Sequence, residues 1–361
     1  MKISIIIPVY NSEEVIKKAV SSIDTKYDHE IICINDGSTD GTLEALETIQ
    51  KENKHVKIIS QSNKGAAASR NVGLSHITGD VFMFLDADDE FLPSRIDVMA
   101  RRYEQNDDVE IVIGQTGRDY HGEWRTFPTH EEIKKDEVVN LAQCPAMLQS
   151  IGPRDKMFSA RFKDLRFDED IVFCEEHTFM AHAFNQAHDI QLLPDIIAGY
   201  NVRENSITAR SVERFFDYMH DAYIVRGRVM DYLRLRNVQQ YYSYRMDELI
   251  VSYMLQAYVT EKPKVTQELL DTVIQYIEGM QKTHYDGDAL FRIVKVMEGG
   301  CKGWTLHYYR QWREALNKVG IGRPNYLAFK AQLVPKQSAF RGRAALKSAL
   351  KNKRTYNFNM N

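Results

Sequence analysis

The chain has 361 residues, 43% apolar, 11% aromatic and 27% charged, a composition that excludes disorder over most of its length. At roughly 100 to 200 residues per domain there is room for two, and no stretch approaches the roughly 20 apolar residues that span a bilayer. The net charge of −3 hides an asymmetry: residues 315–361 hold ten of the 47 bases and no acid, so the other 37 bases face all 50 acids.

Ile3 to Ile7 is a continuous apolar run. Pro8 ends it with no small-residue cleavage site beyond, so it reads as a buried strand, not a signal peptide, and the expectation is a cytoplasmic chain. Val15, Ile16, Ala19, Val20 and Ile23 then recur at helical spacing, with Asn11 or Ser12 as the expected cap. Ile31 to Ile34 predicts the second strand, Leu43, Leu46 and Ile49 the next helix, and Val56 to Ile59 the third strand. A helix around Ala66 to Ile77, the strand Val81 to Leu85, a helix opened by Pro93 and the strand Val109 to Ile113 continue the series. Such alternation with fully apolar strands predicts an α/β fold: a mostly parallel sheet with helices on both faces and ligands beyond the strands' carboxyl ends.

From Ser211 the periodicity is helical. Phe215, Phe216, Met219, Tyr223, Val229, Met230 and Leu233 fit one amphipathic face, and Leu269, Leu270, Val273, Ile274 and Ile277 another. The tyrosines at 241, 242, 244, 253 and 258 are expected to pack as helical core, and Glu298 to Gly303 reads as a loop. The organisation is therefore an α/β domain over 1–210, a helical domain over 211–314 and a basic tail over 315–361, with a short amphipathic helix expected around Ala339 to Lys353. The four cysteines lie far apart with no Cys-x-x-Cys pair, which points to reduced thiols and no zinc site.

The strand ends carry the chemistry. Strand one runs into Pro8-Val9-Tyr10-Asn11, strand two into Asn35-Asp36-Gly37-Ser38-Thr39-Asp40, and the fourth into Asp86-Ala87-Asp88-Asp89. No Gly-x-Gly-x-x-Gly follows strand one and no Gly-Lys-Ser loop is present, which argues against dinucleotide-binding dehydrogenases and P-loop enzymes. Three carboxylates within four residues repel one another unless cations neutralise them, and oxygen-only donors suit Mg²⁺ or Mn²⁺ bridging a substrate phosphate.

Ser4 to Asn11, the Asp36 to Asp40 turn, Lys64-Gly65 with Ala68-Ser69-Arg70-Asn71-Val72-Gly73, and Gly79-Asp80 leading to Leu85-Asp86-Ala87-Asp88-Asp89 stand in an order that resembles the family 2 glycosyltransferases of the GT-A fold. The resemblance is strong over 1–115 and weaker to about 210, and the layout is similar to bacterial enzymes of teichoic-acid, capsule and exopolysaccharide synthesis. It implies that Pro8, Val9 and Tyr10 line a uridine pocket, that Asp36 accepts a bond from the base, and that Lys64 and Arg70 belong to the nucleotide-sugar site. It further implies that Asp86 and Ala87 hold the ribose or sugar and that Asp88 ligates Mn or Mg. In the family an inverting base is the second acid of a Glu-Asp pair. Glu176 matches it within Cys174-Glu175-Glu176-His177, as Glu where Asp is usual, with Glu175, His177 and Asp89 as acceptor-side candidates. Arg203 and Ser206, in Gly199 to Thr208, match a segment that in relatives closes over the diphosphate.

The implied reaction is inverting, metal-dependent transfer from a UDP-sugar to a hydroxyl of a polysaccharide, a polyol-phosphate polymer or a lipid-linked acceptor. The expected partners include a second copy of this chain, in a homo-oligomer, and no nucleic acid. The basic tail is expected to attract a polyanionic acceptor or the anionic inner face of the membrane, which would make the protein peripheral there. Two alternatives stay open: a sugar nucleotidyltransferase, although Pro8 to Asn11 is not its glycine-rich loop, and a non-catalytic module of the same fold.

Overall fold

The computed structural model describes residues 1–126, 133, 135–201, 210–261, 264–322 and 326. Its first half lays down β1 (Lys2–Val9), α1 (Ile16–Ser21), β2 (Asp28–Asp36), α2 (Thr42–Glu52), β3 (Val56–Gln61), α3 (Ala66–Ser75), β4 (Val81–Phe84), β5 (Glu90–Phe91), α4 (Arg95–Glu104) and β6 (Val109–Tyr120). Then come β7 (Glu123–Thr126), β8 (Glu137–Val139), β9 (Lys156–Ser159), α5 (Glu176–Gln186) and β10 (Asp189–Gly199). The described strands form one mixed sheet in the order β3-β2-β1-β4-β9-β6-β10-β5, with β7 on β6 and β8 on β10. β1, β2, β3 and β4 run parallel, while β9 is antiparallel to both of its neighbours.

The apolar runs are explained by burial on two sides. Ile3, Ile5, Ile7 and Val9 of β1, with Val81, Met83 and Leu85, face a core shared with Ile16, Leu46, Ile96 and Met99 of α1, α2 and α4. The alternate residues Ile6, Phe82 and Phe84 face a second core with Leu74 of α3 and Phe179 of α5. Gly73 is required there, because a Cβ would lie 2.3 Å from the Ile6 side chain. This second core continues without a break into the C-terminal helices through Tyr218, Tyr242, Leu270, Val294 and Trp312, so it crosses the boundary drawn near 210.

Those helices are α6 (Phe215–Tyr232), α7 (Arg236–Ser243), α8 (Ser252–Glu261), α9 (Gln267–Met280), α10 (Gly287–Gly300) and α11 (Leu306–Lys318), with a π-helical stretch, Tyr244–Val251, between α7 and α8. Glu298 to Gly300, expected as loop, instead complete α10. At the N-terminus the expected cap is not used: α1 has no side-chain cap, and Ser12 receives the Val15 and Ile16 N–H groups on its backbone oxygen. Asn11 takes a left-handed φ of 45° and ties two loops together. None of the four cysteines forms a disulfide.

Candidate active site

The carboxyl ends of β1, β2 and β4 converge as the sheet rule requires. Asn11 Oδ1 accepts the Thr39 N–H at 2.8 Å, and the Asn11 N–H donates to Ser38 Oγ at 3.1 Å, so the loops after β1 and β2 are bound to each other. Pro8 is half-buried, Val9 buried and Tyr10 48% exposed, which leaves the Tyr10 ring open at the rim. Asp36 is buried and accepts from Lys64 N at 2.9 Å, Gly65 N at 2.8 Å and Gln61 Nε2 at 2.7 Å. It thereby fixes the turn into α3, and a carboxylate's four lone-pair positions leave capacity for another donor. Gly37, at φ 67°, lets this turn close: a Cβ there would lie 2.7 Å from Asn63 N. The Lys64 side chain is exposed.

Arg70 is the junction of the site. From the buried face of α3 its Nη2 donates to Asp86 Oδ1 and its Nη1 to Glu175 Oε1, both at 2.9 Å, with the guanidinium 5.3 Å from the Phe167 ring centroid. The acidic triplet after β4 and Glu175, the residue before α5 and 105 residues from Arg70, therefore meet through one side chain. Arg154, from the loop before β9, completes the arrangement. Its Nη2 donates to Asp86 Oδ2 at 3.0 Å and its Nε lies 2.9 Å from Asp89 Oδ2. Burial opposes the charge on Asp86, but Arg70 and Arg154 outweigh it and hold the carboxyl down at about 2. Asp89, 1% exposed, is pushed up to about 7 by burial, against the pull of Arg154 and with added repulsion from Asp86 and Asp88.

Asp86 and Asp89 thus carry arginine partners, and Asp88 lies half-buried between them next to the buried Ala87. Asn201 fastens this turn to the end of β10, with its Nδ2 on the Asp88 carbonyl at 2.9 Å and its N–H on Asp89 Oδ1 at 3.1 Å. Among the described residues no group of three or more His, Cys, Asp or Glu side chains is gathered to hold an ion. A cation at Asp88 would have few protein ligands and take its other oxygens from phosphate and water, which is how Mg²⁺ is commonly held. The donor chemistry fits.

The glutamate pair sits at the start of α5 on a pinned loop. Asp221 of α6 accepts the Val172 and Phe173 N–H groups at 3.0 and 2.9 Å, and Arg228 of α6 pairs with Asp168 at 2.9 Å and Asp170 at 2.7 Å. Asn71 of α3 brackets Phe167, donating to its carbonyl at 2.9 Å and accepting its N–H at 2.8 Å. Cys174 takes φ 67°, a left-handed turn that carries the chain into the helix. Glu175 is buried and pushed up to about 8 by burial and by the neighbouring Glu176 charge, against Arg70. Glu176 is half-buried. His177, expected on the acceptor side, is 1% exposed with Nδ1 2.9 Å from Tyr242 Oη, and burial holds its ring well below the ordinary histidine range. Its position makes it a packing contact between α5 and α7.

Arg203 and Ser206 lie outside the described residues, as does the tail beyond Tyr326. Sequence reasoning missed Arg154, Asn201 and Tyr200, whose ring stands 5.0 Å from the Arg154 guanidinium. The available signal was the basic residue in Gly152-Pro153-Arg154-Asp155, a breaker-rich loop entering an apolar stretch.

The α/β sheet gathers these acidic and basic side chains at the carboxyl ends of its parallel strands. Residues 4–176 match the model of Glycosyl transferase family 2. Over 353 residues the chain is 33% identical to a Staphylococcus aureus (strain MSSA476) protein, TagX, named as a glycosyltransferase, and the match covers 96% of this chain and 100% of TagX. Over 234 residues it is 28% identical to the poly(ribitol-phosphate) beta-glucosyltransferase of Bacillus spizizenii (strain W23), covering 61% of this chain and 36% of that one. Among solved structures, residues 1–349 of S. aureus TarS in complex with UDP-GlcNAc align with a TM-score of 0.66 at 19% identity, covering 88% of this chain and 90% of that chain. The chain belongs to glycosyl transferase family 2, and it is a glycosyltransferase with the GT-A type of fold.

Proposed function

We propose that the protein is an inverting glycosyltransferase that moves a sugar from a UDP-sugar to a hydroxyl of a polyol-phosphate polymer. The observation that carries this reading is the Arg70 bridge, which ties Asp86 of the acidic triplet to Glu175 of the glutamate pair. The name of one relative, a poly(ribitol-phosphate) beta-glucosyltransferase, supports the acceptor class, and the complex of TarS, of the same fold, with UDP-GlcNAc supports the donor class.

In this mechanism Pro8, Val9, Tyr10 and the Asp36 turn receive the uridine, and Asp86, held by two arginines, orients the ribose or sugar. Glu176 accepts the proton of the acceptor hydroxyl while its oxygen attacks the anomeric carbon from the face opposite the diphosphate. The bond to the diphosphate breaks with inversion, and UDP leaves. Asp88 would hold Mg²⁺ or Mn²⁺, which supplies positive charge to the leaving diphosphate. Arg203 and Ser206 are proposed to contact that diphosphate. The basic tail adds attraction for a polyanion. The test is UDP release with poly(ribitol phosphate) across a panel of UDP-sugars, with product anomers read by NMR. A product that retains the donor's anomeric configuration, or turnover unaffected by chelator, rules out the corresponding part of the mechanism.

A further inference from the structure

One buried charge lies beside the site without belonging to it. Lys156, the first residue of β9, is fully buried, and its neighbour Asp155 is 1% exposed. The Lys156 ammonium donates to Ser150 Oγ at 2.9 Å and to the Gly152 carbonyl at 2.5 Å, and it forms an ion pair with Asp155 Oδ1. Those three bonds use all three of its donors. Asp155 Oδ2 accepts in turn from Thr116 Oγ1 of β6 at 2.9 Å and from Ser150 Oγ at 3.3 Å, and the Asp155 carbonyl accepts the Gly114 N–H at 2.9 Å. The segment that carries the pair is otherwise apolar and buried at Met147, Leu148, Ile151 and Phe158.

One ammonium thus draws together Ser150, Gly152 and Asp155, and Arg154 is carried on the stretch it closes. From there the Arg154 guanidinium reaches Asp86 Oδ2 at 3.0 Å and Asp89 Oδ2 at 2.9 Å. A long side chain on a loop loses rotamer and backbone freedom when it is held between two carboxyls, and a backbone already fixed at its root has less to lose. Stability alone does not account for the buried pair. Replacing such a pair with apolar side chains of similar volume is often neutral or stabilising, because desolvation offsets the attraction. What the pair adds is geometry, at the base of the arginine that joins Asp86 to Asp89.

We infer that Lys156, acting through Asp155 and the Gly152 carbonyl, is a positioning residue that sets where the Arg154 guanidinium meets Asp86 and Asp89. Its consequence for the reaction rests on the reading of Asp86 as a donor-side carboxylate, and the experiment separates the two.

Lys156→Met alone leaves a buried carboxylate without its counter-charge and can fail to fold, so the test combines Lys156→Met with Asp155→Asn, which removes both charges. The Nε–Hε signal of Arg154 in the full-length protein, assigned by its absence in Arg154→Lys, is followed by nitrogen-15 relaxation. Its order parameter should lie near the rigid value of about 0.85 in the wild type and below about 0.6 in the paired variant. UDP affinity, by calorimetry, should fall roughly tenfold, and KM for the UDP-sugar should rise with kcat held. Loss of folded enzyme would instead lower the apparent kcat at constant KM. In an Arg154→Met background the paired change should cost no further affinity, because its effect runs through Arg154. An unchanged Arg154 order parameter, or the same loss of UDP affinity with and without Arg154, overturns the inference. If Arg154 is loosened and UDP affinity holds, the positioning stands and the donor-side reading of Asp86 fails.

Discussion

Arg70 offers the sharpest perturbation, because Lys and Met separate its charge from its geometry. Removing one partner of a buried ion pair costs about 3–5 kcal/mol. Arg70→Met takes a donor from two carboxyl groups, yet neither is left wholly without remedy. Asp86 keeps Arg154 at 3.0 Å, and Glu175, already pushed up to about 8, can hold a proton at pH 7. The loss should therefore fall at the low end, about 3 kcal/mol. Lys is a point donor on a flexible stem and cannot span both carboxylates as the guanidinium fork does. Arg70→Lys keeps the charge and forfeits one charge-assisted hydrogen bond, about 1.5–3 kcal/mol at most. Urea denaturation of the full chain at pH 7, read by circular dichroism and tryptophan fluorescence, gives both differences. UDP-sugar binding by calorimetry on the folded variants gives the effect on the site. An Arg70→Met loss below about 0.5 kcal/mol would mean the bridge contributes little, because ordinary surface changes lie in that range. Equal losses for Lys and Met would place the whole effect in geometry and refute the charge argument.

Asp88→Ala should abolish transfer with the fold intact, as measured by UDP release across Mg²⁺ and Mn²⁺ concentrations, and full activity in chelator would contradict the cation assignment. Glu176→Gln should lower kcat by about 10² to 10⁴ with UDP-sugar affinity unchanged, as expected on losing a general base. Asp221→Ala should lower kcat without weakening UDP, because it frees the Val172 and Phe173 N–H groups that hold the glutamate loop; single-turnover kinetics reads this. Glu30 is held down at about 2: burial opposes its charge, but Lys57, Ser4 and Thr78 outweigh it. Its stabilisation is thus present above the unfolded value near 4 and lost as pH falls through about 2, so Glu30→Gln should cost about 3 kcal/mol at pH 7 and almost nothing at pH 2, by urea melts at both. Truncation after Gln337 should weaken binding to poly(ribitol phosphate) most at low salt, and equal affinity for the shortened chain would set the charge reading of the tail aside.

How much of this was legible in the sequence follows from what each signal reports. Apolar runs report burial on both faces, and the parallel strands β1 to β4 could be read from Ile3 to Ile7, Ile31 to Ile34, Val56 to Ile59 and Val81 to Leu85. β9 could not, because four residues opening on a fully buried Lys156 carry no strand pattern, and so Arg154 before it passed as loop. The π-winding at Tyr244–Val251 has no periodic signature, and Arg245 within it reads as one more surface base.

The acids show the limit more clearly. Asp86, Asp88 and Asp89 are the same residue type within four positions, so a motif can locate them and cannot rank them. What ranks them is the counter-charge each meets. Arg70 and Arg154 hold Asp86 ionised and burial lifts Asp89 toward neutrality despite Arg154, while Asp88 is the one proposed to hold a cation. The same holds for Glu175 and Glu176, which a motif distinguishes only by order. Arg70 fixes Glu175 through a hydrogen bond of 2.9 Å. Arg154 comes from a segment 68 residues from Asp86 and Arg70 from one 105 residues from Glu175, so these counter-charges are set by the tertiary fold, and substitutions at the arginines are the experiments that test the roles proposed for the acids.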